Sequence, residues 1–207
     1  MTLRDLDRIV ANLETNLDEK DRVREDSLRA ARSITRLAST AIRGMHRAES
    51  VEKELKALRG EVARLAKALR SHPEFWAGGT VEGALQEASE AAIVHAILKN
   101  RALPGPDEVG VTAAAYVLGL GDSIGELRRL ALDRLRVGEV EEATRMVDAM
   151  EELYHALLRF DYPDAIVAVR HKQDVARSLL ERTRGELAVA TRSAELERKL
   201  ERLSRRR

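Results

Sequence analysis

Apolar residues recur along the chain at steps of three and four, the spacing of one helix face, and nowhere alternate as a half-buried strand requires. The first such stretch spans residues 2 to about 46, with Val23, Ala30, Ile34, Leu37, Ala41 and Met45 on one stripe. A second helix is expected from a Ser50 cap to about Arg70, on Val51, Leu55, Leu58, Val62, Leu65 and Leu69. Ser71-His72-Pro73 stops it, and a loop carrying the only Trp, Trp76, follows. A third helix is expected over about 80–100, with Thr80 as its cap. Pro104-Gly105-Pro106 is the clearest break. Asp107 is placed to cap a fourth helix over about 107–137, on Tyr116, Val117, Leu120, Ile124, Leu127 and Ala131, ended by Gly138. A fifth carries Val147, Met150, Leu153, Tyr154 and Leu157 up to Asp161-Tyr162-Pro163-Asp164. A sixth holds Ile166, Val169, Val175, Leu179 and Leu180. Gly185 is expected to interrupt it before a last helix over about 186–204, where Leu196, Leu200 and Leu203 make a seam suited to packing or oligomerisation. The pattern predicts an all-α fold of about seven helices in a single domain, 1–207.

Composition narrows the function classes. With 207 residues the chain can bury a sizeable core. Its 36 Lys+Arg balance 35 Asp+Glu, so any nucleic-acid binding has to come from a local patch. The absence of Cys excludes disulfides and thiolate chemistry, thiolate metal sites included. No apolar run approaches the length of a membrane span, and Met1-Thr2-Leu3-Arg4-Asp5 has no apolar signal core, so the expected setting is cytoplasmic, with no membrane partner.

One local patch is visible. Arg29, Arg32, Arg36, Arg43 and Arg47 recur on one face of the first helix, with Thr40 filling the gap. Between Lys20 and Arg47 stand eight Lys/Arg against three Asp/Glu. The stripe reads either as a solvated helix face or as a track of charges for a phosphate backbone.

The other anomaly is acidic. Glu87 and Glu90 are three apart on the third helix, and Asp122 and Glu126 are four apart on the fourth, so each pair shares a face. Only Glu126 has a cation one turn away, Arg129. Four oxygen ligands on two helices, with no Cys and no nearby His at ligand spacing, suit a hard divalent cation, Mg²⁺ or Mn²⁺. Such an ion beside a basic track suits phosphodiester hydrolysis. The competing reading is a set of cross-helix salt bridges to Arg128, Arg129 or the arginine stripe. Gly119, Gly121 and Gly125 lie among these acids. Each costs about 1 kcal/mol relative to Ala in a helix, which is tolerable where another helix backbone or a ligand must come close. The expectation is that they thin the fourth helix so that the third can bring Glu87 and Glu90 near one ion. No Gly-rich phosphate loop and no Ser/His/Asp constellation is present.

Four segments resemble the family of translin and translin-associated factor X (Trax), over about Leu28 to Gly185. They are Ala31-Arg32-Ser33-Ile34-Thr35 through His46-Arg47, then Leu85-Gln86-Glu87-Ala88-Ser89-Glu90-Ala91, then Tyr116-Val117-Leu118-Gly119-Leu120 with Asp122-Ser123-Ile124-Gly125-Glu126-Leu127, and finally Lys172-Gln173. The third is the most specific. The resemblance implies a translin-like helical bundle that assembles into an octamer-like shell holding single-stranded RNA, or single-stranded DNA. It also implies that Glu87, Glu90, Asp122 and Glu126 occupy the metal-binding, RNA-cleaving positions of the catalytic Trax-type subunit. Arg32, Arg43, His46 and Arg47, with Arg29 and Arg36 of the same track, would contact phosphates. The expected activity is a Mg²⁺-dependent endoribonuclease. The alternative is a non-catalytic RNA- or DNA-binding protein of the translin type, and a purely structural helical assembly is a third. The chain is compact, as prokaryotic-type members are.

Overall fold

A computed structural model describes residues 5–77 and 79–204. Its helices are α1 (Leu6–His46), α2 (Glu52–Ala68), α3 (Gly79–Leu98), the single turn α4 (Pro106–Val109), α5 (Ala113–Arg136), α6 (Val140–Leu157) and α7 (Arg170–Ser204), with a 3₁₀ turn at Pro73–Phe75. Seven helices and no strand among the described residues confirm the all-α reading. The expected start of the first helix at residue 2 and the final Arg205-Arg206-Arg207 run fall outside the described residues.

The centre is α3. Val81, Ala84, Leu85, Ala88, Ser89, Ala91, Ile93, Val94 and Ala96 bury nearly all of its circumference, because α1, α2 and α5 all pack on it. Small residues alternate with large ones, which lets three neighbours close in. On α1 a narrow stripe of Ser27, Ala31, Ile34, Ala38, Ala41 and Met45 is buried. Against the far side of α5 lie α6 and α7. One core runs through all of these layers. Trp76 packs at its edge, as a plug.

The expected helix over 107–137 is two. α4 is one turn, started by Pro106 and closed by the Glu108 carboxylate accepting from the Gly105 amide at 2.7 Å. Gly110 then takes a left-handed conformation, φ +84°, which ends the turn. Thr112, not Asp107, caps the long helix, accepting from the Ala115 amide at 3.1 Å. Gly138, φ +80°, ends α5 as expected. Ser50 does not cap α2. The capping position is Val51, and the Ser50 hydroxyl donates to the Glu52 carboxylate at 2.6 Å.

The predicted break at Gly185 is absent: α7 runs unbroken from Arg170 to Ser204. Contacts on either side of the glycine hold it helical. Arg128 binds Thr183 and, with two bonds of 2.8 and 3.0 Å, Glu186. Ile166 and Val169 precede this helix rather than belong to it. Val169 is fully buried while Ile166 is exposed.

Candidate functional site

The two acidic pairs meet where α3 crosses α5, under the C-terminal half of α1. What sets the crossing distance is Gly119. A Cβ there would stand 2.6 Å from Ser89 Cβ, 2.9 Å from the Gln86 carbonyl oxygen and 3.1 Å from the Glu90 amide nitrogen. Gly121 does a different job: its missing Cβ makes room for the Lys172 stem of α7, 2.9 Å away. Gly125 has only an ordinary contact with Leu179 at 3.9 Å. The expectation that all three thin the helix for α3 therefore holds for Gly119 alone.

Each acid has its own surroundings. Glu126 accepts from His46 Nε2 at 2.6 Å and from Arg129 at 3.3 Å. The His46 bond is the main cause holding its carboxyl below the ordinary carboxylate range, against the effect of burial. Asp122 accepts from Lys172 Nζ on one oxygen and Gln86 Nε2 on the other. Glu87 accepts from the Ser39 hydroxyl at 3.5 Å; burial nevertheless raises its pKa, with the Asp122 charge adding to that. Glu90 has neither a hydrogen bond nor an ion pair among the described residues. Burial first, then the charges of Asp122, Glu126 and Glu87, push its pKa up to about 8, with Lys172 pulling the other way.

A pocket of about 230 Å³ opens over three of the four acids, lined by Ala38, Ser39, Ile42, Arg43, Glu87, Glu90, Glu126 and Arg129, with Asp122 outside its lining. Larger or better enclosed cavities exist elsewhere, such as an apolar one between α2 and α3 lined by Leu55, Leu58, Val62 and His95. They do not hold the acids. The donors are hard oxygens, and Glu90 is a carboxylate crowded by three others. That chemistry fits a divalent cation. Among the described residues, though, no three acidic or imidazole groups converge closely enough to form a ready coordination shell, because Asp122 and Glu126 are turned toward Lys172 and His46.

The arginine track is where the spacing put it. Arg29, Arg32, Arg36 and Arg43 are exposed on α1, and Arg47 is exposed at the capping position just past its end. Arg29 pairs with Asp26. Arg36 bonds Ser33 at 3.4 Å and Arg43 bonds Thr40 at 3.0 Å. None of Arg32, Arg36, Arg43 and Arg47 has an acidic partner among the described residues, so the cross-helix salt bridges to this stripe are not formed. Arg128, another candidate partner, goes to Glu186. His46 departs from the track: it is mostly buried, bonded to Glu126, with Nδ1 3.7 Å from Asp133.

Sequence reasoning missed Lys172 and Gln86 as the partners of Asp122, and Ser39 as the partner of Glu87. Each lies on a different helix from the acid it partners, and no spacing rule links them. The one signal was the Lys172-Gln173 pair, whose two side chains divide the work. Lys172 neutralises the site, while Gln173 donates to the Leu157 and Phe160 carbonyls at 2.8 and 2.9 Å, closing the C-terminal end of α6.

The family model for translin matches residues 18–184. The chain belongs to the Translin family. An uncharacterized protein of Methanocaldococcus jannaschii is 34% identical over 191 residues, covering 90% of this chain and 85% of the relative. Among solved structures, a complex of AfC3PO with duplex RNA superposes with a TM-score of 0.83 at 30% identity, over 89% of this chain and 97% of the other. The crystal structure of AfC3PO alone gives 0.82 at 32%, with the same coverage. The family match thus spans both acidic stretches and the whole arginine track. No helix among the described residues is long and apolar enough to cross a membrane.

Proposed function

We propose that the protein binds RNA along the arginine face of α1 and cleaves it, as a metal-dependent endoribonuclease, at the acidic pocket. The observation that carries this reading is Glu90: a largely buried carboxylate within reach of the charges of three others, without a hydrogen-bond partner, in a pocket that Arg43 and Arg129 also line. Membership of the Translin family and the likeness to an AfC3PO–duplex RNA complex support RNA as the ligand.

Glu87, Glu90, Asp122 and Glu126 would hold Mg²⁺ or Mn²⁺. When bound, the ion supplies charge to neutralise the phosphodiester and acidifies water for attack. The remaining steps fall to the chain's own groups. Arg43 and Arg129 draw a phosphate to the pocket mouth, and Arg32, Arg36 and Arg47 hold the neighbouring phosphates. His46 Nε2 donates to Glu126 and fixes its rotamer as a carboxylate. Ala38 and Ile42 form an apolar wall beside the reacting groups. The active form is a homo-oligomer, an octamer-like shell in which single-stranded RNA or DNA is enclosed.

The test is incubation of labelled single-stranded and duplex RNA with Mg²⁺ or EDTA, using wild type and Glu126→Ala. Cutting that needs Mg²⁺ and is lost in the variant is the expected result. Tight RNA binding without cutting by either protein would favour the second reading, a translin-type binder. One observation supports that reading: Lys172 and His46 already occupy two of the acids.

Two further outcomes are expected. Lys172→Met removes the cation that competes for Asp122 and should tighten Mn²⁺ binding, read by titration calorimetry. Unchanged affinity would mean that Asp122 takes no part in holding the ion. Arg32→Ala and Arg36→Ala should each weaken RNA binding without altering the metal-dependent melting shift, and each should lower the slope of log K against log salt by about 1.

A further inference from the structure

A second cavity lies on the far side of α3 from the acids. At about 100° per residue, Ala88, Ala92 and Ala96 share one face of that helix and Glu87 and Glu90 share the opposite one. From α2, Leu55, Leu58 and Val62 stand against the alanines. Methyl groups do not reach across the gap, and a cavity of about 220 Å³ remains between the two helices. An apolar cavity of about 150 Å³ is already large enough to take up a benzene ring.

The outer wall is the strap from α3 to the end of α4, residues 99–110, and the fold pins it along its length. A Schellman turn ends α3. Asn100 takes φ +50°, its amide donates to the Ile97 carbonyl at 3.0 Å, and the Arg101 amide donates to the Ala96 carbonyl at 2.9 Å. Further on, the Tyr116 hydroxyl donates to the Pro104 carbonyl at 2.7 Å. Gly110 then closes the strap onto α2, where a Cβ would stand 3.2 Å from Val62 Cγ1. Ala102, Pro104 and Val109 of this strap line the cavity.

The polar groups around it are few and mostly basic. Arg59 and Arg101 line it and are exposed, and neither has an acidic partner among the described residues. The one acid of the lining, Glu108, is turned to the Gly105 amide at 2.7 Å. His95 is mostly buried, and its Nε2 is a buried atom with no hydrogen-bond partner. A Glu52 oxygen stands 3.9 Å from it, beyond hydrogen-bond reach, and the other oxygen of Glu52 accepts from Ser50. Burial lowers the His95 pKa; Glu52 opposes this, while the charges of Lys99, Arg101 and Arg59 add to it. The ring is therefore neutral at pH 7, with one N–H to donate. An orphaned buried nitrogen is costly, and native chains leave few.

We propose that this cavity binds a small aromatic carboxylic acid, its ring on the alanine face of α3 and its carboxylate at Arg59, Arg101 and His95 Nε2. The apolar walls suit the ring, and the carboxylate accepts from the imidazole N–H and the two guanidinium groups. A nucleobase is a poorer match. Its edge needs several donors and acceptors, and His95 Nε2 is the one buried side-chain atom of the lining that lacks a partner. The site shares no residue with the acidic pocket.

The test is calorimetric titration of the full chain with 2-naphthoate, benzoate and acetate. Saturable binding of naphthoate, one per chain, is expected, with benzoate weaker and acetate undetectable. Ala92→Leu puts a branched side chain into the cavity and should abolish the binding without lowering the melting temperature. Arg59→Gln and Arg101→Gln should each weaken it by about 10-fold or more, as loss of a charged hydrogen bond does. Both arginines are exposed, so these variants carry the test even where Ala92→Leu fails to fold. 2-Naphthalenemethanol, the same ring without the charge, should bind more weakly and be indifferent to the arginines. Naphthoate binding that survives Ala92→Leu, or that acetate reproduces, would mean an anion held on surface charge and would overturn the proposal. So would the absence of saturation by about 10 mM naphthoate. No probe is RNA or metal, so failure here leaves the nuclease reading standing.

Discussion

Gly119→Ala is expected to lower the stability of the fold by about 2 kcal/mol or more, against a typical overpacking cost of about 1–3 kcal/mol. Elsewhere in a helix the same change gains about 1 kcal/mol. The sign reverses here because two of the three atoms facing the new methyl are backbone, the Gln86 carbonyl and the Glu90 amide, and the third is the Ser89 Cβ. None can rotate away, so α3 and α5 must move apart. That movement separates Glu87 and Glu90 from Asp122 and Glu126, and metal-dependent activity should fall with stability. Denaturant melts in EDTA measure the first effect. Two controls make the comparison sharp. Gly125→Ala meets only Leu179 at 3.9 Å and Gly60→Ala meets nothing within 4 Å, so both should raise stability by up to about 1 kcal/mol. A neutral Gly119→Ala would mean the crossing is looser than its geometry.

Gly119, Gly121 and Gly125 also mark what the sequence could and could not say. Their density near the acids was legible, and so was the idea of a close approach. Which neighbour each one faces was not, because Gly119 and Gly121 point to different helices and only the topology decides which. The acids behave likewise. Spacing placed Glu87 with Glu90 and Asp122 with Glu126, and the missing local cations marked them as unusual. Their partners lie 80 positions away for His46 and 50 for Lys172, beyond any local pattern. The helix boundaries failed where one backbone conformation outweighed periodicity. Gly110 at φ +84° splits a continuous apolar pattern. Gly185 stays helical because Arg128, Thr183 and Glu186 tie its flanks to α5. Glycine alone does not distinguish the two cases; the contacts around it do.

The second large effect is expected at Glu90, and its sign depends on metal. The folded protein holds this carboxyl with a pKa of about 8, above its ordinary value of 4.5. The fold therefore favours the protonated form, and that contribution is present below about pH 4.5 and lost as the pH rises through about 8. Without metal, wild type should weaken over that window by a few kcal/mol, at about 1.4 kcal/mol per pH unit. Glu90→Gln carries no charge to crowd Asp122 and Glu126 and should melt at a temperature nearly independent of pH there. At pH 8 in EDTA the variant should be the more stable protein. Adding Mg²⁺ should reverse the order, because saturating a site a hundredfold above its Kd stabilises wild type by about 2.7 kcal/mol, while glutamine replaces an anionic oxygen the ion needs. RNA cleavage by the variant should fall by more than about 100-fold, beyond what loss of a supporting contact costs. Binding to the α1 arginines should be unchanged. A variant that melts below wild type at pH 8 in EDTA would show that Glu90 is held as a paired carboxylate, and the cluster would then be a set of salt bridges rather than a seat for a cation.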